Sequence, residues 1–291
     1  MPTLYPADYE TLTAVRTVQA IGANATTDDP MLRRFIRQAS RIWDLWTTRS
    51  FVPYIHTKKF GTSHVSDVSL KLREDLLELT TLTNADGSTI TGSLYNLRPD
   101  NVYPKRTIEL TTVSGTYWRF VYPEDRVQVA GIWGFHENYA QAWGNSLDTV
   151  QDSPLSSSAT TLTVADVNGL DDRGYTRFEI GDYLKIETEF LQVIDIPTGY
   201  NTKLTVLRGV NGSTGAAHVQ GTAVAVYRQT DDVRFAVREM VKWMYERRDT
   251  VNRGVQLTQD LGVIIQNDLP EIKALAEHYV VDNSAGMILA V

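Results

Sequence analysis

The stretch from Asp29 to Trp46 constrains this chain more than any other. Leu32, Phe35, Ile36, Ala39, Ile42, Trp43 and Trp46 recur at the spacing of one helix face. Arg33, Arg34, Arg37, Gln38 and Arg41 fill the opposite face. Asp29 supplies a capping carboxylate and Pro30 stands at the first helical position, where its missing N–H costs nothing. A helix with so large an apolar face must be covered. A second segment near the far end answers it. Asp231 and Asp232 can start a helix, and Val233, Ala236, Val237, Met240, Val241 and Met244 form its stripe. Packed together, the two helices make an expected core of Leu32, Phe35, Ile36, Ile42, Trp43, Val237, Met240, Val241 and Trp243.

The 291 residues suffice for one large or two modest domains. No Cys occurs, so there is no disulfide framework and no thiolate ligand or nucleophile. The formal charge of −7 argues against a protein that grips nucleic acid over a broad basic face. No apolar run approaches the roughly 20 residues of a membrane span. Met1 to Glu10 lacks the pattern of a signal peptide.

Between the two helices the pattern changes. Leu70 to Leu82, Thr89 to Thr91, Arg106 to Thr112, Tyr117 to Phe120 and Val127 to Val129 read as short strands, with Asn84-Ala85-Asp86-Gly87 as a turn. Gly131 and Gly134 suggest close backbone approach or a bend. A polar boundary lies at Gln151 to Ser158. After it come five β-rich runs, Thr161 to Val164, Tyr183 to Ile186, Phe190 to Ile194, Leu204 to Leu207 and Ala223 to Tyr227. The expected fold class is therefore α+β: a helical core with a small antiparallel sheet, residues 1–152 and 229–291, carrying an inserted small β-barrel or β-sandwich over residues 153–228.

Motifs that carry chemistry are sparse. His56, His64, His136, His218 and His278 are scattered, none at metal-ligand spacing. Gly209 to Gly215 invites a phosphate-loop reading, but the chain leads on into a strand and carries no Lys after the glycines, so a turn is expected. Asp166, Asp171 and Asp172 do not follow the calcium-loop pattern. Asn24-Ala25-Thr26 and Asn211-Gly212-Ser213 match a glycosylation sequon. Trp43, Trp46 and Trp133 are expected in the core, whereas Trp143 and Tyr139 suit an interface. No nucleophile, base and oxyanion donor assemble at a recognisable spacing. No enzyme, metal or cofactor is expected.

The end of the chain is unusual. Leu269-Pro270-Glu271 opens a last helix with Ile272, Leu275, Ala276, Tyr279 and Val280 on one face. The tail then closes on Met287-Ile288-Leu289-Ala290-Val291, without a charged side chain. An apolar tail calls for a groove that receives it, on a partner or on the chain's own core.

Several pieces, taken in order, resemble the head-to-tail connector, or adaptor, proteins of tailed bacteriophages. They are Asp28-Asp29-Pro30-Met31-Leu32, Ala39-Ser40-Arg41-Ile42, Thr48-Arg49-Ser50-Phe51, Leu76 to Asn84 with Asp86-Gly87, Val127 to Gly134 and Ala142-Trp143. Thr205 to Thr214, Ala217-His218, Gly221-Thr222-Ala223 and Trp243 to Asp249 complete the set. One departure is the absence of basic residues in His278-Tyr279-Val280-Val281. The resemblance implies a structural protein of the virion neck. Such adaptors form a ring, usually of twelve copies, below the portal protein. They link it to a stopper or tail-completion protein and leave an axial channel for DNA, without sequence-specific binding. On this resemblance Ile272, Leu275, Tyr279, Met287, Ile288, Leu289 and Val291 are the expected portal contacts. The alternative reading is a binding module, in which the inserted β domain recognises a host surface or a fibre protein.

Overall fold

The computed structural model describes residues 8–18, 26–61, 65–113, 116–121, 127–248 and 268–280. The chain divides into two compact units. One comprises Pro6–Ser50 and Gln229–Val291, and the other Phe51–Arg228.

The first unit is helical. α1 (Leu12–Arg16) is capped by Thr11, whose Oγ1 accepts the Ala14 N–H at 3.2 Å. α2 (Asp29–Thr47) follows. Asp28, not Asp29, holds its cap position, and Pro30 lies in the first turn. The helix stops at Thr48, which adopts a left-handed conformation (φ 56°). α3 (Asp231–Glu246) begins with Asp231 and Asp232, which favour the positive end of its dipole. α4 is the short segment Pro270–Glu277. Leu32, Phe35, Ile36, Ile42 and Trp43 of α2 are buried, as are Val237, Met240, Val241 and Trp243 of α3. Ile272, Ala276 and Tyr279 close the same core from α4 and the turn after it. Trp43 and Tyr279 meet edge to face, centroids 5.5 Å apart.

The second unit consists of β-strands. In its first half lie β1 (Tyr54–Phe60), β2 (Ser69–Thr83), β3 (Thr89–Ile90), β4 (Tyr95–Arg98), β5 (Lys105–Leu110), the ribbon of β6 (Thr112–Val113) and β7 (Thr116–Tyr117), and β8 (Val127–Trp133). Six of these form one antiparallel sheet in the order β1-β8-β2-β5-β4, with β3 also on β2. The 15-residue β2 carries the sheet. Register shifts along it bend the strand, so that it pairs with β5, β8 and β3 in turn. Gly131 lets β8 lie close against β2, since a Cβ there would stand 2.2 Å from the Glu78 carbonyl oxygen. Leu70, Leu76, Leu82, Ile108, Val129 and Trp133 fill the core of this half.

The second half holds β9 (Trp143–Thr149), β10 (Thr161–Thr163), β11 (Tyr183–Ile186), β12 (Glu189–Asp195), β13 (Lys203–Leu207) and β14 (Ala223–Tyr227). They form a six-stranded antiparallel sheet in the order β10-β13-β12-β11-β14-β9. Its core includes Leu162, Val164, Leu184, Leu191, Val193, Val206 and Val226. The two halves are stitched together. The Ile55 N–H donates to the Asn211 carbonyl at 2.8 Å, and the Tyr227 hydroxyl to the Phe51 carbonyl at 2.9 Å.

The expected fold class is overturned by this arrangement. The chain is predominantly β, with two six-stranded antiparallel sheets, rather than a helical core with a small sheet and an inserted barrel. The physical reason lies in polar strands that carry no alternating apolar signal. Tyr54-Ile55-His56-Thr57-Lys58-Lys59-Phe60 and Trp143-Gly144-Asn145-Ser146-Leu147-Asp148-Thr149 are edge strands, and among the described residues each pairs with a single neighbour. β9 pairs with β14, so the second sheet begins upstream of the polar boundary at 151–158.

Candidate functional site

The sequence-expected contact residues divide into two groups. Ile272 and Tyr279 are buried in the core of the helical unit, and Leu275 is half-buried. α4 thus spends its apolar face on α2. Met287, Ile288, Leu289 and Val291 lie outside the described residues, as do His64, the Asn24-Ala25 part of the first sequon and Leu261 to Ile265.

Polar anchors hold the helical unit in register. The Glu10 carboxylate is buried and accepts from Arg234 Nε at 3.1 Å and Nη2 at 2.8 Å. Arg238 Nε stands 3.4 Å from its other oxygen. The backbone N–H of Tyr9 donates to Ser40 Oγ at 3.0 Å. At the far end of α3, Trp243 Nε1–H donates to Asp268 Oδ2 at 3.1 Å.

In the β unit, the glycine-rich segment 209–215 is a packed turn, and no helix follows it. A Cβ on Gly209 would stand 2.9 Å from the Gly215 nitrogen. The backbone N–H groups of Gly209 and Ala216 do converge on an anion, but it is the chain's own. Glu189, fully buried, accepts both at 3.0 Å. Arg208 grips the same carboxylate through Nε and Nη2, both at 2.7 Å. His218 Nε2 completes it at 2.8 Å, while its Nδ1 faces Glu187 at 2.8 Å. Burial pushes the Glu189 carboxyl up, but Arg208, the Ala216 N–H and His218 outweigh it and hold it below its usual range. A phosphate would find this cradle already filled.

The acids considered for calcium are likewise paired. Asp171 Oδ2 meets Arg228 Nε at 3.1 Å, and its Oδ1 accepts the Arg173 and Tyr175 N–H groups. Asp182 binds Arg228 Nη1 at 3.1 Å. Burial raises its carboxyl to about 6, against the pull of Arg228 and with the help of neighbouring Glu179. Asp148 accepts the N–H groups of Ala165 and Asp166, each at 2.9 Å. Asp166 and Asp172 are exposed. Among the described residues no group of three or more His, Asp or Glu side chains could hold a metal ion.

Two histidines sit in fixed hydrogen bonds. His218 belongs to the Glu189 cradle. His136 is buried, with Nε2 3.0 Å from the Arg228 carbonyl and Nδ1 accepting the Asn138 N–H at 3.0 Å. These partners fix the neutral Nε2–H tautomer. Burial depresses its basicity, and the bond to the Arg228 carbonyl restores part of it.

One further polar cluster gathers around Glu74, a residue not singled out in the sequence. On β1 and β2, Tyr54 donates to Glu74 Oε2 at 2.8 Å and accepts from Lys58 Nζ at 2.9 Å. Lys58 also pairs with Glu74 and covers the Trp133 ring, 4.3 Å from its centroid. Burial lowers Lys58, and burial with the Glu74 charge raises Tyr54. A tyrosine pushed upward stays a neutral phenol and is a poor proton donor, and the lysine is spent on the ring and the carboxylate. The cluster braces strands.

The tryptophans divide similarly. Trp43 and Trp133 are fully buried, and Trp46 is half-buried beneath Lys273. Trp143 is half-buried, stacked on Phe190 at 5.2 Å, with its Nε1–H on the Tyr139 hydroxyl at 3.2 Å. It packs inside the β unit.

No protein-family model, curated protein or solved structure matches the chain. No described helix is long and apolar enough to cross a membrane.

Proposed function

We propose that this chain is a structural subunit of a bacteriophage neck, an adaptor that forms a ring below the portal and joins it to the stopper or tail-completion protein around an axial channel for DNA. The observation that carries the reading is where the resembling segments fall. Asp28, in the first of them, takes the hydrogen bond of Tyr245, in the last, at 2.7 Å. Arg208 and His218 hold the Glu189 cradle, and Asn211 reaches Pro53 through Nδ2 at 3.3 Å. Residues in the resembling segments thus take part in joints of each unit. Supporting it, the buried carboxylates of Glu10, Glu189 and Asp171, and that of Asp182, are each paired with an arginine, which suits a scaffold rather than a reacting site. No turnover is expected of the chain.

Electron microscopy of virions carrying this chain, marked with a specific antibody, tests the reading. Label at the junction of head and tail is expected. Label at the distal tail, or on no particle at all, would overturn it.

A further inference from the structure

Two exposed helix faces in the helical unit carry opposite charge at matching spacing. On α2 the outward row is Arg34, Arg37 and Arg41, all exposed, with Leu45 continuing it. On α3 the outward row is Asp232 and Glu246, both exposed, with the half-buried Glu239 between them and Lys242 in the same row. Arg34 and Arg41 are two helical turns apart, as are Asp232 and Glu239, and Glu239 and Glu246. Each step is therefore roughly 10 Å along its helix. Like charges at this spacing repel weakly within a row and meet a facing row of opposite sign in register.

Little inside the unit neutralises either row. Among the described residues Arg34, Arg41 and Glu246 make no ion pair. Arg37 reaches Asp8 at 3.4 Å with its side chain 53 % exposed, and Glu239 stands 3.8 Å from Lys242. Among the described residues Asp232 accepts a long hydrogen bond from Tyr279, 3.4 Å. Each row also exposes one large apolar side chain, Leu45 at 44 % and Phe235 at 48 %. Both faces differ from the rest of their helices, whose other sides are buried. An arginine row flanked by an exposed leucine, on a chain of net charge −7, is fitted to an acidic helix face with its own apolar anchor. That face is present on the same chain.

We propose that the Arg34–Arg37–Arg41 row of one copy docks on the Asp232–Glu239–Glu246 row of a second copy of this chain. The contact is heterologous, one surface patch against a different one. Such contacts propagate head to tail and close into rings or run on as filaments. The inference rests on the ring reading above and names the surface that would build the ring.

Charge reversal tests it on the full chain. Two variants are made, Arg34→Glu with Arg41→Glu, and Glu239→Arg with Glu246→Arg, together with the chain carrying all four. These positions lie on outward helix faces, and circular dichroism checks that the helices remain. Self-association is followed by sedimentation over a range of protein and salt concentrations. Wild type is expected to self-associate and to weaken with salt. Each two-site reversal should weaken association about tenfold or more, one such factor corresponding to about 1.4 kcal/mol, and the four-site chain should recover it. A second readout uses the absence of native Cys. A chain with Arg41→Cys mixed with one with Glu239→Cys should form a crossed disulfide dimer faster than either forms with itself. Association untouched by the reversals, no association at any concentration, or faster like-with-like crosslinking would each overturn the docking. None of these bears on the neck label, so the ring surface and the neck reading fail separately. Loss of DNA binding or of capsid attachment in the arginine variant alone, with the acidic variant unchanged, would assign the α2 row to another partner.

Discussion

The Tyr245 hydroxyl donates to Asp28 Oδ2 at 2.7 Å. The bond ties the last turn of α3 to the residue that precedes α2, while Arg234, near the start of α3, binds Glu10, whose neighbour Tyr9 binds Ser40. The two long helices therefore run antiparallel, brought together from opposite ends of the chain. Hydrogen bonding to Asp28, with burial behind it, raises the Tyr245 hydroxyl above its ordinary value. Tyr245→Phe removes the donor and keeps the ring. A hydrogen bond to a charged group contributes about 1.5–3 kcal/mol. Asp28 is half-buried and regains water, so the lower end applies. The thermal midpoint of Tyr245→Phe should fall, while Tyr200→Phe, at an exposed ring, should leave it in place.

Glu189 is the centre of the second sheet's polar interior. Its Oε1 accepts from Arg208 Nε and the Gly209 N–H, and its Oε2 from Arg208 Nη2, the Ala216 N–H and His218 Nε2. Glu189→Gln replaces one acceptor with an amino group facing donors and leaves Arg208 buried without its charge partner. Breaking a buried pair in this way costs about 3–5 kcal/mol. Denaturant unfolding should show that loss, and Glu187→Gln, at an exposed carboxylate, should show a much smaller one. Equal losses in the two variants would mean that Glu187, not Glu189, anchors the turn.

His136 and Asp182 are expected to pull the acid stability in opposite directions. The folded state depresses His136, so it binds a proton less readily than the unfolded chain does. Its contribution is present above the ordinary histidine value and is lost as pH falls through that value and below. Asp182 is raised to about 6 by burial, so its folded form holds a proton that the unfolded chain has released. Its contribution is present below the ordinary aspartate value and is lost as pH rises through about 6. Stability measured from pH 7 to pH 4.5 should fall less steeply with acid in His136→Gln than in wild type. It should fall more steeply in Asp182→Asn, because the compensating proton uptake is gone. Parallel curves for all three chains would show that neither group titrates in that window.

The helices were legible because their information is local. α2 announces itself through seven apolar positions at one period and a proline at its start. The covering of that face by α3 follows from the need to bury it. The strands β1 and β9 were not legible, because what makes them strands is distant. Lys58 belongs on β1 because Trp133, on the neighbouring β8, offers its ring face. Ser146 and Asp148 belong on β9 because the Val224 carbonyl and the Ala165 and Asp166 N–H groups wait for them. A polar strand satisfied by hydrogen bonds from elsewhere leaves no alternation to read. The same limit applied to the contact surface. The apolar face of Ile272 and Tyr279 was visible in the sequence, but not that Trp43 would cover it.

That covering moves the expected portal contact outward along the chain. With Ile272 and Tyr279 committed to the helical core, Leu275 is the half-buried member of the expected set, and Met287, Ile288, Leu289 and Val291 of the tail lie outside the described residues. Two variants separate the roles. Tyr279→Ala removes a buried ring in contact with Trp43, and large-to-small changes of buried aromatics cost about 3–5 kcal/mol. The melting temperature should drop, and attachment to portal-bearing capsids should weaken only in proportion to the unfolded fraction. Deleting residues 282–291 leaves the described core whole. Its melting temperature should stay near that of the intact chain, while attachment to capsids should be lost. If the shortened chain melts much earlier, the tail folds back onto its own unit. If it melts normally and still binds capsids with full affinity, the portal contact lies on another surface, and the exposed rows of α2 and α3 become the next to test.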